Sequence, residues 1–152
     1  MKHIVVVMTL GVFISAHFGQ GERVYKYVVL ERVHVPGGEV VTQVTSDHFS
    51  RYSDLGQDAI TVKIDPKDSA EMYQLITRSD FFNLEDGLRY TCMYDESGGV
   101  ITSTLRVFIE EGGEKMDKIL NFDCGCIYTN APDSVCNILD KVTEFYYKYN
   151  SK

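Results

Sequence analysis

The sequence predicts an α+β domain with a mostly antiparallel sheet of hairpins and two helices packed on one of its faces. Short runs rich in Val, Ile and Tyr are separated by Gly-rich turn signals, which is typical of hairpin strands. Two longer segments carry apolar residues at the spacing of an amphipathic helix, and each has a proline near its start. The predicted order is βββα followed by βββα, without convincing residue identity between the halves.

The strands of the first half are predicted from alternation and turn residues. Residues 24–35 are rich in Val and Tyr and predict a long strand, which Pro36-Gly37-Gly38 turns into a second arm over 39–45. Residues 47–58 are predicted to form a polar loop. A short strand with one buried face is expected over 60–64, where Ile and Val alternate with polar residues.

Three further strands are expected in the second half, at 88–94, 101–110 and 116–126. The turn signals around them are Asp86-Gly87, Ser97-Gly98-Gly99 and Gly112-Gly113. Because strand side chains alternate between faces, Cys92, Cys124 and Cys126 are predicted at core-facing positions.

Both helices have recognisable start signals. Asp65 is a good N-cap and Pro66 suits the first helical position, so the first helix is expected to begin there and to end near Ser79. The second is expected to begin near Asn130, with Pro132 in its first turn. The predicted apolar stripes consist of Met72, Leu75 and Ile76 in the first helix and Val135, Ile138, Leu139, Val142, Tyr146 and Tyr149 in the second.

The N-terminal residues predict a secretory signal peptide. Lys2 gives a basic start, residues 4–14 form an apolar run, and Ala16 is a small residue suited to the cut, with Gly19 as an alternative. The run is shorter than the ~20 apolar residues that span a bilayer. The predicted organisation is a signal peptide at 1–16, a short segment at 17–23 and a single α+β domain at 24–150, secreted into the extracellular space.

The charge of the chain disfavours two classes of partner. Residues 1–16 contain one basic residue, Lys2, and no acidic one, so their removal changes the formal charge from −7 to −8. No basic cluster interrupts this acidity. Binding to nucleic acid and adhesion to anionic membranes are therefore disfavoured.

Four cysteines predict two disulfides in an exported chain: Cys92, Cys124, Cys126 and Cys136. A Cys124–Cys126 bond would close a very tight ring and is disfavoured. Cys92 is therefore expected to pair with one of these two and Cys136 with the other, in either arrangement. The alternative is a four-cysteine zinc site, which the single residue between Cys124 and Cys126 disfavours.

No motif for catalysis is present. The chain lacks G-x-S-x-G, H-E-x-x-H and the P-loop pattern, and His34 and His48 have no partner at metal-ligand spacing. The carboxylate pairs Asp95-Glu96 and Glu110-Glu111 fall at turns, where solvated residues are the ordinary interpretation. A cysteine nucleophile is disfavoured when all four thiols can pair. We therefore expect no enzymatic activity, metal or cofactor.

Two segments are candidate binding surfaces. Tyr146, Tyr147 and Tyr149 crowd the last helix and form either part of the core or an aromatic patch for a partner. The Val-rich arm 39–45 could pair with an extended peptide if it lay exposed.

The order of phrases along residues 24–146 resembles emfourin, a small protein inhibitor of thermolysin-like metalloproteases. That family has a strand ending in Gly-Gly, a helix leading into an apolar Phe-Phe phrase, a hairpin, and a C-terminal helix started by proline. Here these correspond to Gly37-Gly38, the phrase Leu75–Leu84, the hairpin 105–113 and the helix after Pro132. The four cysteines and the long 47–58 segment depart from the family pattern.

The resemblance implies that the protein inhibits a secreted thermolysin-like metalloprotease by forming a stable complex. It carries no short inhibitory motif, so no contact residue is transferred. It also implies that Phe81, Phe82 and Leu84 are largely buried, because such apolar phrases chiefly record packing. The alternative function is a secreted, non-catalytic binding or structural module with another protein partner.

Overall fold

The computed structural model describes residues 25–35, 37–56, 59–85, 89–90, 102–122 and 131–150. The strands are β1 (Tyr25–Val35), β2 (Gly38–Thr45), β3 (His48–Ser53), β4 (Ile60–Lys63), β5 (Arg89–Tyr90), β6 (Thr102–Glu111) and β7 (Glu114–Phe122). The helices are α1 (Pro66–Arg78) and α2 (Asp133–Asn150), with a 3₁₀ turn at Phe81–Asn83.

All seven strands belong to one sheet with the order β4-β3-β2-β1-β6-β7-β5. Every neighbouring pair is antiparallel except β5 and β7, which run parallel. Strand β1 lies at the centre and is paired along most of its length on both sides. The predicted α+β class with a mostly antiparallel sheet is confirmed.

Glycines allow the tight turn between β6 and β7. Gly112 and Gly113 have φ of 60° and 90°, and Glu111 and Glu114 face each other directly on either side of them. Two consecutive positive φ angles identify a type I′ turn, whose twist matches that of the two strands it joins.

The helices begin largely as their capping residues predict. The Asp65 side chain accepts a hydrogen bond from the Lys67 amide at 2.8 Å, and Pro66 opens α1. At the end of that helix, the Ser79 amide donates a hydrogen bond to the Leu75 carbonyl oxygen. Helix α2 starts at Asp133, later than predicted, because the Pro132 carbonyl accepts the first helical bond from the Cys136 amide at 3.1 Å.

Both helices cover the same face of the sheet and run antiparallel to each other. Lys148 near the end of α2 meets Asp68 near the start of α1, and Lys141 reaches Glu71. The core lies between this helical layer and the sheet. Its fully buried large side chains are Tyr27, Phe49, Phe81, Phe145, Met72, Ile76, Leu105, Leu120, Ile138, Val29 and Val44.

The predicted polar loop at 47–58 is wrong for residues 48–53, which form β3 between β2 and β4. Phe49 is fully buried against the helices, while His48 and Tyr52 point to solvent. The sequence of this segment does not alternate clearly between apolar and polar residues, because only one core-facing position of the strand is strongly apolar. The apolar phrase behaves partly as expected: Phe81 is fully buried, but Phe82 and Leu84 are half-buried.

Several predictions lie outside the described residues: the signal peptide 1–16, the segment 17–23, Cys92, Cys124 and Cys126, and the turns at 86–87 and 97–99. Of the strands predicted at 88–94 and 116–126, the structure describes 89–90 and 114–122. No helix in the described ranges is long and apolar enough to cross a membrane.

Candidate protein-binding surface

Within the described residues, both helices lie on one face of the sheet, and we call the other face the open face. Side chains alternate along each strand, so the neighbours of the buried Val29, Val44 and Val107 point away from the core. These outward positions of β1, β2, β3, β6 and β7 are half-buried or exposed. In the part of the chain that the structure describes, this face is therefore a candidate contact surface.

A diagonal line of apolar side chains crosses the open face. Val41 pairs with Tyr52 and Val28 pairs with Phe108 across neighbouring strands, and Leu30 follows Val28 on the same face of β1. We name this line the apolar band. It consists of Tyr52, Val41, Leu30, Val28, Phe108 and Ile119.

The two ends of the apolar band are its most accessible parts. Tyr52 is 54% exposed and Ile119 is 51% exposed, whereas the four central side chains are half-buried by their neighbours. The band spans five strands, a width of roughly 19 Å at the usual strand spacing. A continuous apolar feature of this extent on a solvent-facing sheet is typical of a protein-interaction site.

Two ion pairs lie among the side chains of the apolar band, because Arg106 is opposite Leu30 and Ile119 in the register and Arg32 is opposite Val41. Arg106 donates two hydrogen bonds to Asp117, from Nε at 2.9 Å and Nη2 at 2.5 Å, and Arg32 contacts Glu39 at 3.1 Å. The bonds from Arg106 lower the pKa of Asp117 below its usual value. Because these pairs are exposed, each contributes little to stability. The open face therefore combines apolar side chains with paired charges, and interfaces commonly contain both.

The two interior histidines also lie on the open face. His34 and His48 are exposed, which confirms their interpretation as hairpin-surface residues. His48 Nδ1 contacts Asp47 at 2.9 Å. Among the described residues, no group of three His, Cys, Asp or Glu side chains is placed to hold a metal ion.

The tyrosine-rich end of α2 is mainly part of the core. Tyr149 is buried, and Tyr146 is half-buried with the Arg51 guanidinium 4.3 Å above its ring. Tyr147 is 71% exposed, on the helical side of the domain. These three rings therefore form no common binding patch.

The prediction that residues 39–45 could pair with a peptide is wrong. Strand β2 is paired with β1 on one side and with β3 on the other, so both of its hydrogen-bonding edges are occupied. The accessible strand edges of a sheet lie at its margins.

Cys136 is the one predicted disulfide cysteine within the described residues. It forms no disulfide in this part of the chain, and its half-buried Sγ lies 3.7 Å from the Ala131 carbonyl oxygen. Burial, and then the charges of Asp140 and Asp133, raise the pKa of the thiol. A raised pKa lowers the thiolate fraction and hence the reactivity. The pairing of the four cysteines stays a prediction.

A polar cluster lies on the helix-covered face. Arg51 donates from Nη1 to the Thr42 hydroxyl at 3.3 Å, and its buried Nε has no partner within the described structure. Glu31 lies next to Thr42 in the sheet register. Burial raises the pKa of Glu31, and the charge of Arg51 opposes this shift. The cluster therefore places a buried carboxyl group, a hydroxyl group and a guanidinium next to one another under the helices.

A second polar cluster joins the two helices. The buried Asp68 accepts hydrogen bonds from Lys148, at 2.8 and 2.6 Å, and from the Tyr149 hydroxyl. Burial alone would raise the pKa of Asp68, but the bonds from Lys148 and Tyr149 outweigh it and lower the value. Tyr149 also accepts a bond from the Asp65 amide at 2.9 Å. The cluster fixes α1 against α2 and serves packing.

The apolar band was not predicted from the sequence. Its only signal is that Val28, Leu30 and Val41 are apolar at strand positions where a solvated face usually has polar residues. Recognising that these positions are neighbours requires the strand order and register, which bring Tyr52 and Ile119 onto the same line.

No protein-family model and no curated protein sequence matches the chain. The similarity to emfourin therefore depends on the order of elements and on the phrase at residues 75–84.

Proposed function

We propose that the protein is a secreted inhibitor of a thermolysin-like metalloprotease and acts by forming a stable complex through its open face. The apolar band carries this proposal. The apolar band lies on a hydrogen-bonded sheet, and the helices pack against the opposite face of that sheet. A surface that is already ordered loses little conformational entropy on binding.

The apolar band accounts for complex formation with a protease and requires no catalytic step. Its apolar side chains lie next to the ion pairs Arg32–Glu39 and Arg106–Asp117, and its two ends are accessible. Stable complexes usually bury about 800 Å² per partner, so these charged side chains have to take part in the contact. The order of strands, helix, hairpin and helix agrees with what the resemblance to emfourin implies.

Titration of the purified chain against thermolysin tests the proposal. The expected result is stoichiometric loss of peptidase activity while the chain remains uncut. Tyr52→Ala and Ile119→Asp should each weaken inhibition by at least about tenfold, since a side chain that anchors an interface contributes about 2 kcal/mol or more to binding.

Tyr147→Ala is the matched control for Tyr52→Ala, because it removes another exposed tyrosine from the helical side of the domain. It should inhibit like the unaltered chain. Full peptidase activity at a large excess of the chain would exclude thermolysin as a target. Inhibition that is unchanged in both band variants would exclude the open face as the contact surface.

The second candidate function is a secreted binding module with a different protein partner. The apolar band supports it equally, since the band identifies a contact surface and not the class of protein that covers it. Capture of a partner that binds the unaltered chain and the Tyr147→Ala variant but not the Tyr52→Ala variant, together with unaffected thermolysin, would favour this function.

A further inference from the structure

The two faces of the domain differ in charge. The helical layer, which comprises residues 65–85 and 131–150, contains four basic and eight acidic side chains. The outward positions of β1–β4, β6 and β7 contain five basic and three acidic ones, although the whole chain has a formal charge of −7. The basic residues are Lys26, Arg32, Lys63, Arg106 and Lys115, and the acidic residues are Glu39, Glu110 and Asp117.

Ion pairs neutralise part of the charge on the open face. The contacts Arg32–Glu39 and Arg106–Asp117 each combine one positive and one negative side chain. These two pairs therefore contribute no net charge, and the sign of the face depends on the side chains outside them.

Three lysines of the open face are not engaged in such pairs. Lys26, Lys63 and Lys115 are exposed, and none of them forms an ion pair with another described residue. Two carboxylates oppose them: Glu110 lies between Lys26 and Lys115 in the register, and Asp47 lies in the turn that precedes β3. The charge that the face presents to a partner is therefore positive.

Two of these lysines lie close to the apolar band. Lys26 precedes Val28 by two residues on the same face of β1, a distance of roughly 7 Å along the strand. Lys115 lies in the same row as Lys26, across β6. Phe108 is opposite Val28, so a partner side chain that covers Phe108 lies within roughly 10 Å, about one Debye length, of both lysines.

The composition of the face favours a protein over a nucleic acid as the partner. Phosphate backbones are bound by several lysine and arginine side chains together. Here carboxylates are interspersed among the basic side chains, and the centre of the face is apolar. A surface that covers the band needs apolar side chains of its own, and carboxylates next to them would approach the lysines.

We propose that the open face binds an acidic protein surface, in which aspartate or glutamate side chains flank apolar ones. The proposal rests on the open face being the contact surface, as in the proposed function, and it adds the charge of the partner. Complementary charge accelerates association and selects among partners. The acidic helical layer repels the same partner, so the two faces together favour its approach to the open face.

Three acetylated and amidated pentapeptides test the proposal: Glu-Phe-Glu-Leu-Glu, Lys-Phe-Lys-Leu-Lys and Glu-Ser-Glu-Ser-Glu. Binding to the full, ¹⁵N-labelled chain is followed by NMR titration. The first peptide should bind at least about fivefold more tightly than either of the others and shift the amides of Val28, Leu30 and Phe108. Raising the salt concentration from about 0.01 M to about 1 M should remove its advantage over the lysine peptide, because the Debye length falls from about 30 Å to about 3 Å.

The double substitution Lys26→Gln and Lys115→Gln removes two positive charges next to the band. It should weaken binding of Glu-Phe-Glu-Leu-Glu about threefold. Lys67→Gln combined with Arg78→Gln is the matched control, because it removes two exposed positive charges from the helical layer and changes the net charge of the chain equally. The control should bind like the unaltered chain.

Equal affinity for the glutamate and lysine peptides at low salt would overturn the proposal, as would the absence of binding by Glu-Phe-Glu-Leu-Glu. Equal affinity for the serine peptide would overturn it too, since the face would then attract anions of any kind. Open-face amide shifts that depend on the concentration of the chain alone would instead identify a second copy as the occupant. No protease is present in these titrations, so a failure of this proposal and a failure of the proposed inhibition are distinguishable.

Discussion

Replacing Tyr149 with Phe removes one hydroxyl group from the junction between the helices. The ring itself is expected to stay in place, because it packs against Phe145 and Phe49 with centroid distances of 5.9 and 6.1 Å. The hydroxyl accepts a hydrogen bond from the Asp65 amide at 2.9 Å and donates one to the carboxylate of Asp68. The substitution therefore isolates the contribution of these two bonds.

The expected loss is about 2–3 kcal/mol of unfolding free energy at pH 7. A neutral hydrogen bond contributes about 0.5–1.5 kcal/mol and a bond to a charged group about 1.5–3 kcal/mol. The lower part of the combined range applies, because Lys148 continues to donate to Asp68.

The loss should depend on pH. The pKa of Asp68 is lower in the folded chain than its ordinary value of 3.8. A carboxyl group whose pKa is lower in the folded chain stabilises the fold fully at pH values above its unfolded pKa. This stabilisation is lost as the pH falls through the pKa of the folded chain. The effect of Tyr149→Phe should therefore be full at pH 7 and should shrink below about pH 3.8.

Urea unfolding of the purified chain, followed by circular dichroism, measures this effect. Tyr147→Phe is the control, because that residue is 71% exposed, and its unfolding free energy should change by no more than about 0.5 kcal/mol. If Tyr149→Phe stays within the same margin at pH 7, the two hydrogen bonds do not stabilise the helix junction as inferred.

The same urea measurements test three further changes. Glu31→Gln should stabilise the chain at pH 7, because burial raises the pKa of this carboxyl and its charged form is therefore unfavourable in the folded chain. The protonated carboxyl carries no such penalty, so the stabilisation by glutamine should disappear below about pH 4.5. Phe145→Ala should cost about 3–5 kcal/mol, as this ring is fully buried. Gly38→Ala should cost about 1 kcal/mol. The added methyl group would displace Asp54 from its 2.5 Å bond to the Glu39 amide, and faster hydrogen exchange at that amide would show it.

The elements that depend on local chemistry were predicted well. Asp65 and Pro66 mark the start of α1 as expected, and Gly112 and Gly113 turn the chain between β6 and β7. The apolar stripe of α2 is mostly buried as predicted, although Tyr146 is only half-buried and the fully buried Phe145 was not included. Caps, turns and helical periodicity involve residues only a few positions apart, so a single sequence contains their signals.

The errors arose where contacts between distant segments decide the structure. Strand β3 has one strongly apolar core residue, Phe49, and becomes a strand because β2 and β4 pair with it on both sides. The same pairing of β2 removes the free edge that a peptide would need. Strand formation depends on neighbouring strands that are often distant in the sequence, which makes β-propensity a weak guide.

By itself, the sequence determined the α+β class, the start of the first helix, the hairpin turns and the acidic character of the chain. Only the tertiary structure decided the positions of the candidate binding sites. The apolar band joins residues from Val28 to Ile119. Such surfaces arise from strand order and register, which are set by the pairing of segments distant in the chain, and local sequence patterns do not specify that pairing.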